Sequence, residues 1–287
     1  MAEVELDYAV PSEDIAEFVT LFYAFRADVP VFEDVERADN AQLRFRLQGG
    51  GSTYSMADGT VQYGTQIHLL GPTSGATTVR MIGPIRGFGW GMTPRGWAAV
   101  VGVDASALLN RIVDARELFG DALDALDAAV AALEQAPDLA AMVAIAEPLV
   151  RTLARGRGRE ALIFAGLVDA WLEGERSPDV EALVIATGLS RRQLERRCKA
   201  LYGAPPKLLA RKFRALRAAV ALYADGVSPG DLVEQGFYDQ SHLIREIKQF
   251  TGLTPRQLKE QPGLLAQLTI DQRYALHGVI SPLVSRT

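Results

Sequence analysis

The chain reads as an α+β multidomain protein: an N-terminal antiparallel β-barrel or sandwich with helices, then a C-terminal all-α domain of two helix-turn-helix units. Three features of its 287 residues predict this. Short alternating runs, separated by Gly and Pro, fill the first hundred residues as short strands do. After Asp104 the apolar residues recur at helical spacing. Towards the end, two stretches match when slid by 49 residues. Leu194, Arg196, Lys199, Gly203, Pro206 and Leu209 fall on Leu243, Arg245, Lys248, Gly252, Pro255 and Leu258.

Taken in order, Gln42 to Gln48 alternates apolar and polar side chains like a half-buried strand, and Gly49 to Ser52 follows as a turn. Further strand-like runs are 59–63, 66–70, 77–82, 85–90 and 98–101. Residues 105–113 and 116–135 then look helical, with Leu118, Leu123, Leu126, Val130 and Leu133 on one side. Pro137 breaks the run. A second helix over 138–154 turns Leu139, Met142, Ile145, Leu149 and Leu153 inward. These helices either cover the barrel or form a dimer interface. Arg155 to Arg159, alternating with glycine, reads as a linker.

The repeated unit is a capped helix, an apolar stripe, a glycine stop and a proline that opens the next helix. In the first copy a short helix (180–187) stops at Gly188, and Ser190 caps the next one. Leu194, Cys198 and Leu201 then form one face, with Arg192, Arg196 and Lys199 opposite. In the second copy a helix over 229–235 stops at Gly236 and Asp239 caps. Leu243, Ile247 and Phe250 point inward, while Ser241, Arg245 and Lys248 point outward. A helix over 206–224 joins the copies. At ~1.5 Å per residue it spans roughly 28 Å, near the ~34 Å between successive major-groove faces on one side of B-DNA. Lys207, Arg211, Lys212, Arg214 and Arg217 lie along it, suited to phosphate contacts that set register without reading sequence.

Residues of about 158–262 resemble the DNA-binding domain of the AraC/XylS family of transcription regulators. The second copy carries the match: Gly236-Phe237, the acidic cap Asp239, Ser241, Arg245, Lys248 and Gly252-Leu-Thr-Pro255. Ile247, Leu258 and Cys198 depart from the family pattern, each apolar for apolar. The resemblance implies base contacts from Arg192 and Arg196 in the first reading helix and from Gln240, Ser241 and Arg245 in the second. Phosphate contacts fall to Arg191, Lys199, Arg211, Arg214 and Lys248, and His242 is a lesser candidate that fills the surface. It also implies double-stranded DNA and RNA polymerase as partners, action as an activator, and a small-molecule effector held by a cupin-like front domain. The effector itself is not written in the residues. A DNA-anchored module whose front domain binds a partner protein is the alternative.

The resulting division is 1–103, sensor-like and β-rich; 104–157, a helical extension with possible dimerisation and linker roles; 158–262, the double helix-turn-helix; and 263–287, a tail without motif. Charge supports it. Net charge is −5 overall, yet residues 175–262 hold 15 Lys/Arg against 10 Asp/Glu, leaving −10 on the remainder. A single cysteine rules out an internal disulfide framework and suits a reducing cytoplasm. No leader-like or membrane-length apolar run is seen, so no membrane is expected as a partner.

Enzymatic signatures are missing, so no enzyme and no cofactor are expected. His68, His242 and His277 are scattered, without the spacing of a metal site. There is no Gly-x-Ser-x-Gly elbow, and Gly49 to Ser52 lacks the Lys of a phosphate loop. His68 reads as a pocket or surface residue. Trp90 and Trp97 read as core aromatics, with a small-molecule pocket near Arg86 and Arg95 as the other option.

Overall fold

The computed structural model describes residues 4–154, 159–174, 177–234 and 236–287. The proposed linker at 155–158 lies outside the described residues. Ten strands are seen among them: β1 (Val4–Ala9), β2 (Val19–Ala27), β3 (Val31–Glu36), β4 (Gln42–Gln48), β5 (Ser52–Ser55), β6 (Val61–Gly64), β7 (Ile67–Leu70), β8 (Thr77–Ile82), β9 (Ile85–Met92) and β10 (Ile112–Asp114). They build a six-stranded sheet, in the order β1-β2-β9-β4-β7-β10, and a four-stranded sheet, β3-β8-β5-β6. Every described pairing is antiparallel.

Period-two alternation gives the six-stranded sheet two faces of different character. Phe22, Leu43, Phe45, Ile67, Leu69, Phe88 and Trp90 point to one side and join the largest apolar cluster. That cluster is closed by two helices, α3 (Leu123–Gln135) and α4 (Leu139–Leu153), through Leu126, Leu133, Met142 and Leu149. The helices therefore cover the sheet, as one of the two expectations had it. On the other face, Leu6, Phe25 and Ile85 meet Phe32, Tyr54 and Val79 of the four-stranded sheet.

The helical part continues through α5 (Arg159–Gly174), α6 (Val180–Thr187), α7 (Arg191–Tyr202), α8 (Pro206–Tyr223), α9 (Pro229–Glu234), α10 (Gln240–Thr251), α11 (Pro255–Glu260), α12 (Leu264–Ala275) and α13 (Pro282–Ser285). Two short helices, α1 (Pro94–Gly96) and α2 (Ala115–Leu118), belong to the front half. The repeat unfolds as its caps predict. Ser190 and Gln193 form a capping box at the start of α7, and Asp239 accepts from the His242 N–H at the start of α10. Gly188, Gly203 and Gly252 close α6, α7 and α10 in the left-handed conformation. Leu194 and Cys198 pack against Phe164, Val168 and Leu172 of α5, whereas Leu243 and Ile247 pack against α8.

Several front-half expectations are corrected. Strands β1 to β3 lie ahead of the first run recognised by its pattern. Residues 98–101, expected as strand, form a buried helical turn that Thr93 and Pro94 initiate. Residues 105–113, expected as helix, split into a 3-10 turn and the start of β10, which pairs with β7. The helix expected over 116–135 is interrupted at Phe119 and resumes at Leu123. The tail is structured as α12 and α13.

Candidate nucleic-acid interface and internal cavity

Each reading helix buries an apolar face, with Leu201 of the first only partly covered, and leaves the other in solvent. Leu194, Cys198, Leu243, Ile247 and Phe250 have no measurable exposure. Opposite them, Arg192, Arg196 and Lys199 on α7 and Gln240, Ser241, Arg245 and Lys248 on α10 are exposed. Among the described residues, no hydrogen bond or ion pair ties down the side chains of Arg192, Arg196, Lys199, Arg245 or Lys248. Arg191 is exposed but ion-paired with Glu181. Cys198 is an inert part of the core, its thiol pushed up to about 12 by burial.

Two other arginines from the phosphate set are placed differently. Arg211 and Arg214, on one face of α8, both reach Glu246 on α10, at 2.6 and 2.7 Å. Glu246 is 1% exposed. Arg214 also lies over the Phe237 ring, and Arg211 over that of Phe250. These guanidiniums hold α10 against α8. His242, expected merely to fill the surface, accepts the Tyr238 N–H at Nδ1 and sets Nε2 3.2 Å from Glu246.

A partly open cavity of about 150 Å³ lies between the two sheets of the front half. Its polar wall is one row across the six-stranded sheet, in which Tyr23, Gly89, Arg44 and His68 are successive partners. Gly87, Gly89 and Gly91 alternate along β9 with Phe88, Trp90 and Met92 of the core side; Gly87 lines the cavity, whereas the space over Gly89 and Gly91 is taken by Tyr23 and Thr20. A Cβ on Gly89 would meet the Tyr23 ring and the Leu43 carbonyl. Arg44 donates to both oxygens of Glu36, at 3.0 and 2.8 Å, and to Gln42 Oε1 and the Tyr54 hydroxyl. His68 Nδ1 faces the Thr65 carbonyl, so Nδ1 carries the proton and Nε2 accepts from the Tyr54 hydroxyl. Burial, reinforced by the Arg44 charge, pulls the imidazole down to about 4. His68 is thus a neutral pocket residue. Trp90 and Trp97 are buried core aromatics.

The roof of this cavity comes from the helical half. Leu216 and Ala219 of α8 line it, as do Thr251, Leu258, Leu265 and Arg273. Arg273 pairs with Asp39 at 2.9 Å, and the buried Lys212 amine donates to the Asp39 carbonyl at 2.8 Å. Burial raises the Asp39 carboxyl above its ordinary range and lowers Lys212 to about 8. The front half also caps the second reading helix. Ala76 and Ala38 donate backbone N–H groups to the carbonyls of Gln249 and Phe250, at 2.9 and 2.7 Å. These carbonyls lie in the last turn of α10, where no intrahelical donor remains. Gly252 is needed twice here, for its φ of +78° and because a Cβ would collide with Val35.

Sequence reasoning found the exposed arginines through their spacing against the apolar stripe. It passed over the Arg211–Glu246–Arg214 network, although an acid on the flank of a cationic helix is a visible signal. It also passed over the alternate glycines of β9, of which Gly87 borders the cavity and Gly89 and Gly91 admit Tyr23 and Thr20.

Residues 183–261 match a family described as a helix-turn-helix domain. The F1 operon positive regulatory protein of Yersinia pestis is 34% identical over 102 residues, covering 33% of this chain. The chain spans about a third of that relative's length, 34%. Two solved structures align over most of the chain at low similarity. Unsaturated fatty acid bound wild-type ToxT from Vibrio cholerae is 11% identical, with a TM-score of 0.43, covering 83% of this chain and 94% of the other. The AraC-like transcriptional activator CuxR is 15% identical, with a TM-score of 0.30, covering 80% and 91%.

Proposed function

We propose that the C-terminal helical domain is a DNA-binding domain of the AraC/XylS class and that this chain is a ligand-responsive transcription regulator. One observation carries the DNA half: two reading helices that bury an apolar stripe and whose opposite faces hold, among the described residues, unpaired cations. Arg192 and Arg196, and Gln240, Ser241 and Arg245, meet base edges in two adjacent major grooves. Arg191, Lys199 and Lys248 meet phosphates and supply the salt-dependent share of affinity. Arg211 and Arg214 keep a phosphate role only through the exposed edge that Glu246 leaves them.

The cavity supports small-molecule control over docking of a partner protein at the front half. It is a partly open, mostly apolar pocket with a few convergent polar groups, as ligand sites are. Its roof is α8, the helix on which the second reading helix rests, so an occupant touches the output element directly. The working division is a sensor of β-sheets at 1–103, its helical cover at 104–157, the DNA reader at 158–262, and a tail at 263–287 that completes the roof. Activation with RNA polymerase, in the cytoplasm, fits the relative described as a positive regulatory protein. No described helix is long and apolar enough to cross a membrane.

Selection of bound fragments from genomic DNA, followed by thermal shifts across a metabolite library, tests both halves. Recovery of one recurrent two-part site and stabilisation by one compound class is expected. Equal binding to all fragments would refute the DNA reading. A flat library screen, together with capture of a protein partner by the front half, would favour the interaction-module alternative.

A further inference from the structure

The two units are built alike but are not held alike. On α10, Glu246 lies on the flank between the buried stripe and the exposed reading face, next in sequence to Arg245. Its Oε1 accepts from Arg211 Nε at 2.6 Å, and its Oε2 from Arg214 at 2.7 Å. The two arginines also brace the ends of the helix. Arg214 lies over Phe237, in the turn before α10, while Arg211 reaches Gln249 at 3.0 Å and lies over Phe250. His242 ties the Tyr238 N–H of that turn to the same carboxylate. The matching position of the first copy, 49 residues earlier, holds Arg197. Its ion pair with Glu160 of α5 is 3.7 Å long, with the two side chains 42% and 88% exposed. An open pair of that kind fixes little; the first helix is held elsewhere, by the buried Tyr202 hydroxyl at 2.7 Å from Asp169 of α5 and by Arg197 lying over the Phe164 ring.

Rotation about the helix axis is what such a clamp controls. Leu243 and Ile247 are smooth apolar groups and tolerate a small roll against α8, whereas a carboxylate held by two forked donors does not. A roll of about 20° moves a side-chain tip at the ~5–6 Å helix radius by about 2 Å. That displacement exceeds what a base-edge hydrogen bond accepts.

We infer that Glu246, clamped by Arg211 and Arg214, is a positioning residue that fixes the rotation of the second reading helix, so that strict reading of the second half-site depends on it while reading of the first does not. This rests on the DNA reading proposed above. Glu246 touches no base; it acts through Arg245 and Ser241.

The test uses the full chain and its selected two-part site, with single-base changes in each half. Wild-type protein is compared with Glu246→Gln, and with Ile247→Val as a control that loosens the same helix without touching charge. Discrimination at the second half-site is expected to fall about ten-fold or more in Glu246→Gln, in line with the loss of one aligned bidentate contact. Discrimination at the first half-site should stay at the wild-type value, and Ile247→Val should discriminate normally at both. Wild-type discrimination in Glu246→Gln, or an equal fall at both half-sites, would overturn the inference. Should Glu246→Gln fail to fold by circular dichroism, Arg214→Gln removes one of the two bonds and is read the same way. Absence of specific binding by the wild-type protein would instead refute the underlying function.

Discussion

His68 offers a quantitative check on the cavity, because it titrates in a window where its neighbours can be separated from it. The ring is 3% exposed, carries its proton on Nδ1 toward Thr65, and faces the Arg44 guanidinium across one strand spacing. Protonation would place a second cation in this wall and cost the Tyr54 hydroxyl its acceptor. The folded value therefore falls from 6.5 to about 4. Between those two values the unfolded chain binds a proton that the folded chain refuses. Stability present at neutral pH is thus lost as pH falls from about 6.5 toward 4. At ~1.4 kcal/mol per pH unit, the loss from this one group reaches about 2–3 kcal/mol near pH 4.5. Thermal melts of wild-type protein and His68→Gln, followed by circular dichroism between about pH 7 and 4.5, isolate it. Glutamine keeps an amide donor and an acceptor but does not titrate. The wild-type curve should fall more steeply, by roughly 5–10 °C over the range at ~2–4 °C per kcal/mol. Parallel curves would show that His68 is not a buried neutral imidazole, and the polar row would need redrawing.

Four further outcomes follow from the same structure. Arg196→Ala and Arg245→Ala should each weaken binding to the selected site by roughly 1–3 kcal/mol and relax base preference locally; gel-shift titrations retaining wild-type selectivity would remove their roles. Lys212 is lowered to about 8 by burial, so stability should rise with pH from about 8 toward 10 in the wild type but not in Lys212→Met; urea titrations at both ends of that range decide it. Gly252→Ala meets both a left-handed backbone and the Val35 side chain. It should destabilise by roughly 1–3 kcal/mol and speed hydrogen exchange at the Ala38 and Ala76 amides; unchanged exchange would separate the cap from the docking. Gly89→Ala pushes the Tyr23 ring into the cavity and should abolish the thermal shift given by any ligand found there, while a preserved shift would place that ligand elsewhere.

What the sequence revealed and what it hid follow from the range of the forces involved. Ser190, Gly203, Asp239 and Gly252 cap their helices through contacts only a few residues away, so the helix-turn-helix units were legible from pattern alone. Strand β2 alternates weakly because both of its faces are buried or nearly so, and its partner β9 lies more than sixty residues away. Residues 97–101 are buried on all sides, which erases the periodicity that separates strand from helix. Strand β10 exists because β7 offers it an edge, a long-range cause that local pattern does not contain. The outward arginines were identified by phase against the stripe, but their partners were not. Glu246 and Arg214 are 32 positions apart and meet only when α10 lies across α8. The hollow in the front half was invisible for a related reason, since its roof is supplied by α8 and α12.

The two amides that loops of the front half lend to the last turn of α10 have a thermodynamic corollary. Ala38 and Ala76 satisfy carbonyls on the same rigid rod whose opposite flank would face bases. Anything that displaces those amides alters the energy of that rod's resting pose, and such linkage is symmetric. On the proposed function, an operator would change the affinity of a cavity ligand by the same factor as the ligand changes the affinity for the operator. The promoter-bound molecule would then be a different receptor from its free counterpart, with a dose response that depends on how many operators are occupied as well as on how much ligand is present.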